Sequence, residues 1–143
     1  MGASWLKRAD NGEYTWLTFD GQGWSQKYNL VWDKLFGWNI LPDEFYEREL
    51  RSYLPHINEF GLPLDSRASY TKSDWTMWVA AMADSREVFD ALCAPLAHFL
   101  RDGDSRVPFG DLYDTVEATC EAFIARSVQG GCFMPLLMKK WAK

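Results

Sequence analysis

The sequence predicts an all-α fold, built of consecutive helical hairpins with long loops and at most minor strands. Two observations carry this. Four separate stretches place apolar residues three and four positions apart, the buried stripe of an amphipathic helix. Strand signals are weak: Tyr14 to Phe19 alternates enough for one short extended segment, and the loops leave room for others. A chain of 143 residues suits a single helical domain over 1–143, long enough to bury a core.

Taken in chain order, Ala3 to Arg8 reads as the tail of a helix, and the YTWLTF run at 14–19 as one short extended segment. Tyr28, Val31, Trp32 and Leu35 form the first stripe. Tyr46, Leu50, Tyr53, Leu54 and Ile57 form the second, in a helix opened by Pro42, whose fixed φ suits a helix start. Asp43 and Glu44 then face its positive dipole end. Trp75, Trp78, Val79 and Met82 make the third stripe, with Ser73 or Asp74 placed to cap it. Asp84 to Glu87 has capping-box spacing and opens a fourth helix carrying Phe89, Leu92, Leu96 and Phe99. Pro95 removes one backbone bond there and predicts a bend. A last helix is expected from about Ser127 towards Trp141, kinked at Pro135. Long loops at 59–72 and 102–117 separate these elements, and loops of that length in a compact helical protein usually have a task.

Composition removes several function classes. The net charge is −5 and no basic stripe occurs, so nucleic acid is not an expected partner. No apolar run reaches the roughly 18 residues that span a bilayer, so no membrane partner is expected. The first ten residues lack the form of a signal peptide. That implies either a cytosolic chain or a start that is not the parent protein's natural one; localisation stays open. Cys93, Cys120 and Cys132 form no CxxC pair, and His56 and His98 lie far apart and read as ordinary helix residues. No metal and no cofactor are expected. The aromatic load is heavy, with 8 Trp, 6 Tyr and 9 Phe, and fits either a wide core or a ring-lined cleft.

Three polar–aromatic segments could carry chemistry. In the first, Asn29 and Asp33 are four apart on one helix face, with Lys27 at its mouth. That pattern suits either a helix end presenting polar groups to a cleft or a solvated face. The second gathers Asp65, Arg67, Lys72 and Asp74 into one loop and helix entrance. Opposite charges so close favour the ionised forms, which serves a zwitterionic or amide substrate and a structural ion-pair network equally. The third runs from Arg106 through Asp111 and Asp114 to Arg126, where paired carboxylates could divide acid and base roles or simply be solvated. No GxSxG, P-loop or dinucleotide fingerprint is present.

The same segments carry a resemblance. WSQKYNLVWDKLFGWNILP at 24–42, GLPLDSR at 61–67, YTKSDW at 70–75, and RVPFGDLYDT with ARSVQGG between 106 and 131 resemble the glutaminase A family, in the same order. The resemblance implies large, often exported proteins of several domains. It also implies part of an (α/α)6 toroid like that of some glycoside hydrolases, and hydrolysis of L-glutamine to glutamate and ammonia. On the matching segments, water activation falls to Asp33 or Asp74. Substrate binding falls to Lys27, Asn29, Asp65, Arg67, Lys72, Asp111 and Arg126. The expected partner is a glutamine-like small molecule or a glycan, and a toroid of six helix pairs needs about twice the helices readable here. A homodimer or the missing toroid half would then cover an apolar flank. The alternatives are a non-catalytic helical module that self-associates and a carbohydrate-binding or glycoside-hydrolase-like domain.

Overall fold

The computed structural model describes residues 2–104 and 108–141, the side chain of Ala3 apart. Its α-helices are α1 (Gly2–Ala9), α2 (Val31–Phe36), α3 (Asp43–Ser52), α4 (Ser73–Ala81), α5 (Arg86–Asp102) and α6 (Met134–Trp141), and the four apolar stripes fall on α2 to α5 with their flanking turns. Short 3-10 turns at Tyr28–Leu30 and Leu54–His56 extend α2 backwards and α3 forwards, the second where Pro55 ends the α-helical pattern. Before α6 the chain is a longer 3-10 stretch, Ser127–Phe133, rather than the start of one continuous helix.

Local chemistry moves several boundaries. α4 begins one residue before Asp74, and no side chain caps it. α5 takes Ser85 as its cap, the Ser85 hydroxyl accepting from Val88 N–H, and runs on through Pro95. The Tyr14–Phe19 run makes only isolated bridges, Asp10 to Thr15 and Trp16 to Trp24.

The larger correction concerns strands. The chain is not all-α, because a three-stranded antiparallel sheet joins the two long loops, and helical hairpins describe only part of it. Its strands are β1 (Tyr70–Lys72), β2 (Gly110–Asp114) and β3 (Cys120–Ile124), in spatial order β1-β2-β3. Thr71 faces Tyr113 across the first pair, and Leu112 faces Ala122 across the second. These strands hide from a periodicity reading because β2 buries Asp111 and Tyr113 together, and β3 is exposed along nearly its whole length.

One core packs α2, α3, α4 and the first half of α5 around Val31, Tyr53, Leu62, Val79 and Leu92, all at most 1% exposed. A second joins the end of α5 to the sheet, where the Phe99 and Tyr113 rings stack 3.6 Å apart. The two cores meet along α4 and α5. That leaves the β1–α4 junction, residues 70–75, between the sheet and the helices.

Asp33 holds the turn after α2. Gly37, in the left-handed conformation at φ 63°, reverses the chain. The returning strand of loop places Ile40 N–H at 3.0 Å and Leu41 N–H at 3.1 Å from the two Asp33 oxygens, and the Tyr46 hydroxyl donates at 2.6 Å. Burial opposes the charge on Asp33, but these three donors together hold its pKa below the usual carboxylate range. Asp33→Ala is expected to leave those donors unsatisfied, at a cost of about 3 kcal/mol. That corresponds to a melting point roughly 10 °C lower, measured by circular dichroism. The loss should shrink as pH falls through the depressed pKa, since the contribution of an acid of this kind exists only above it.

Candidate functional site

The sheet assembles what the sequence scatters. Lys72 ends β1 and reaches Asp111 on β2, Nζ to Oδ2 at 2.8 Å. Arg126, just past β3, closes on the same carboxylate through Nε at 3.0 Å and through a second guanidinium nitrogen. Asp111 is 0% exposed. Burial disfavours its charge, yet Arg126 and Lys72 outweigh that and keep its pKa low. Both cations also sit over the Phe123 ring, Lys72 Nζ at 4.6 Å and the Arg126 guanidinium at 4.2 Å from its centre.

Asp74 lies in the first turn of α4, two residues from Lys72, and is 3% exposed. Its Oδ1 is buried with no hydrogen-bond partner among the described residues. Burial and then the negative charge of Asp111 raise its pKa, against the weaker pull of Lys72 and the backbone N–H groups of Asp74 and Trp75. The cluster thus holds two carboxylates in opposite states: Asp111 neutralised by two cations, and Asp74 buried with one oxygen unpaired. Carboxylates whose surroundings push their pKa values apart are suited to different roles in proton transfer.

Trp75, the residue after Asp74, lines a cavity of about 370 Å³. Tyr28 and Trp75 stack at 4.0 Å and form one wall, and Tyr70 contributes to another. The loop at 61–68 reaches the cavity by pairing with residues 24–26. Gln26 N–H donates to Leu64 O at 2.8 Å, and Ser66 N–H to Trp24 O at 3.0 Å. This places Asp65 and Arg67 opposite Lys27 and Asn29 in one lining. Arg67 grips Asp65 with two parallel bonds, 2.9 and 2.7 Å, and at 69% side-chain exposure keeps other N–H groups turned to solvent. Its attachment lowers the pKa of Asp65.

Of the nine predicted residues, Lys27, Asn29, Asp65 and Arg67 line the cavity with Trp75, while Lys72, Asp111 and Arg126 form the ion cluster near Asp74, with Lys72 Nζ 5.1 Å from the centre of the Trp75 ring. Asp33 stands apart, in the turn after α2. Arg106 and Val107 lie outside the described residues. Among the described residues no group of three or more His, Cys, Asp or Glu side chains is placed to hold a metal ion, and no helix is long and apolar enough to cross a membrane.

The sequence model of the glutaminase A six helical-hairpin domain matches residues 1–136. The chain belongs to the glutaminase A family. It is 38% identical to glutaminase A of Aspergillus oryzae over 115 residues, 78% of this chain and 16% of that protein. A protein of Arthroderma benhamiae named a probable glutaminase is 28% identical over 161 residues, 91% of this chain and 19% of its own length. The chain thus spans less than a fifth of either relative. No solved structure matches it.

Lys27, in the cavity lining of this glutaminase A-family chain, joins a buried polar layer that sequence reasoning missed. Glu49, 2% exposed, accepts from Thr15 N–H at 2.8 Å, the Thr15 hydroxyl at 2.9 Å and the Tyr53 hydroxyl at 3.0 Å. Lys27 Nζ lies 3.7 Å from Glu49 and donates to Thr15 O, Ser25 O and the Ser25 hydroxyl. Burial lowers the Lys27 pKa, and Glu49 opposes it. A signal for Glu49 existed: it stands three residues after Tyr46 and four before Tyr53, on the buried stripe of α3. Gln26 is also buried, and its amide donates to Leu62 O, Pro63 O and the Thr71 hydroxyl. Nothing in its neighbours' spacing marks it.

Proposed function

We propose that the chain carries an amide-hydrolysing site for glutamine-like amino acids, with Asp74 as the base that activates water. The observation that carries this reading is Asp74 itself: a buried carboxylate with one oxygen unpaired, near a cationic pair and next in the chain to Trp75, which lines a ligand-sized cavity. Family membership and the names of the relatives support glutamine-like amides as the substrate class. A polar side chain buried without a partner destabilises a fold, and such groups persist where function needs them.

The roles divide as follows. Arg67 takes the substrate carboxylate through its solvent-facing N–H groups, held in place by Asp65, with Asn29 beside it. Asp74 accepts a proton as the water oxygen bonds to the amide carbon. The carbon–nitrogen bond then breaks, and the proton passes to the departing nitrogen, giving a carboxylic acid and ammonia. Lys72 and Arg126, fixed by Asp111, supply the positive field near the developing oxyanion. Asp33 is left out because both of its oxygens already hold the turn after α2. Lys27 is left out because its ammonium already serves Thr15, Ser25 and Glu49.

The test is ammonia release from L-glutamine by the purified chain. Turnover that saturates with substrate is expected, and none at high protein concentration would overturn the proposal. Arg67→Ala should raise KM about tenfold with little change in kcat, since it binds ground state and transition state alike.

A further inference from the structure

A larger cavity, of about 560 Å³, lies along α1. Gly2, Trp5, Leu6 and Ala9 line it, at the i, i+3, i+4 and i+7 spacing of a single helix face. Leu30, Leu41 and Phe45 line it from the core, and Phe19 and Ile40 are exposed members of its lining. The volume is that of a site for a small organic molecule. Its hydrophilic side chains are Thr15, Ser25 and Lys27, and they are bonded already. Lys27 Nζ donates to Thr15 O, Ser25 O and the Ser25 hydroxyl, and the Thr15 hydroxyl donates to Glu49. The walls thus favour an apolar body, which gains by leaving water.

Charge decides the other end of the ligand. No aspartate or glutamate is in the lining, and the Lys27 charge is answered by Glu49 at 3.7 Å. Arg8 is different. It follows Trp5 by three positions on α1, and its guanidinium lies 4.2 Å from the centre of the Phe19 ring, which meets the Trp5 ring edge-on at 5.4 Å. Among the described residues its side chain makes no hydrogen bond or ion pair. Asp10 is held by Arg48 at 2.8 Å, and Asp20 accepts from the Thr18 hydroxyl. A guanidinium resting on a ring keeps its N–H edge for an anion, and a carboxylate matches that edge with two parallel bonds. A second copy of the chain suits the place poorly. The other exposed apolar helix face, Phe133, Leu137 and Trp141 along and just before α6, carries Lys139 and Lys140 and would bring like charge to Arg8.

We propose that the α1 cavity binds an apolar monocarboxylate, its hydrocarbon body against Trp5, Leu6, Leu41 and Phe45 and its acid group on Arg8. The proposal does not depend on amide hydrolysis.

Titration with decanoate, decanol and decyltrimethylammonium, each below its micelle concentration, tests it. Tryptophan fluorescence reports binding, since Trp5 and Trp16 line the cavity. Decanoate is expected to bind one per chain and about tenfold more tightly than either of the others, the worth of one charge-assisted contact. Arg8→Gln should erase that preference while decanol binding holds. Ala9→Phe puts a ring into the helix wall of the cavity and should abolish binding of all three, with melting curves to establish that it is folded. Arg8 is exposed, so its variant decides the matter even where Ala9→Phe does not fold. Equal affinity for the three head groups, or a preference that survives Arg8→Gln, would overturn the proposal, as would the absence of saturable binding. Sedimentation of the chain alone reads the rival occupant: a dimer that takes up no decanoate would put a second copy in the cavity instead.

Discussion

Asp111→Ala is expected to destabilise the chain by about 3 kcal/mol, near the lower end of the cost of breaking a buried ion pair. The reason lies in what remains. Asp111 is wholly buried between Lys72 and Arg126 and neutralises both. Lys72 has only 12% of its side chain exposed, so its charge cannot recover its hydration once the partner is gone. Arg126, at 36%, can turn towards solvent, which is why the loss stays below the full value for a closed triad. The register of β1 on β2 should loosen as well, because Lys72 pairs with Leu112 directly beside the ion pair. Chemical denaturation at pH 7 measures the difference. The folded pKa of Asp111 is depressed, so its contribution is present above the unfolded value near 4 and fades as pH falls through the folded one. Wild type and variant should therefore converge in acid. A variant as stable as wild type at neutral pH would mean that the two cations are solvated without Asp111.

That prediction depends on contacts no local pattern announces, and this separates what the sequence reveals from what it hides. α2, α3, α4 and α5 were legible because each buries one stripe of its own residues, and a stripe is a local property. The sheet is a non-local one. Asp111 is buried in β2 because residues 39 positions before it and 15 after it bring it two cations. In the sequence it looks like any loop aspartate. β3 shows no alternation because both of its faces are largely exposed. Residue choice at the site was more legible than its grouping. Charged residues beside aromatic ones at 24–34, 61–75 and 106–126 marked the segments that converge. Asp33 misled because it shares a helical face with Asn29, while the turn that buries it is set by Gly37, further along. Glu49 was hidden by the opposite effect: a carboxylate on an apolar stripe reads as an interruption, when it is the partner of Lys27.

Asp74→Asn should move activity and stability in opposite directions. Removing the base is expected to lower kcat for glutamine hydrolysis by about 10²–10⁴, the usual worth of general base catalysis. The same change should stabilise the fold at pH 8 by about 1 kcal/mol, a melting point some 3 °C higher. The sign follows from the direction of the shift. Burial and the nearby Asp111 charge raise the folded pKa of Asp74 above its unfolded value. The folded chain therefore binds that proton more tightly than the unfolded one. As pH climbs from the unfolded pKa to the folded one, the native state loses stability, and above the folded value the whole cost is present. Asparagine keeps the shape and never ionises, so it escapes that cost. Below about pH 4 both forms of residue 74 are neutral and the two proteins should melt together. Melting temperatures across pH 3.5 to 8.5, set beside ammonia release for the same samples, measure both halves. An asparagine variant that melts lower than wild type at pH 8 would show that the Asp74 charge is paired within the fold. Its place would then be structural, and Asp74 would not be the base.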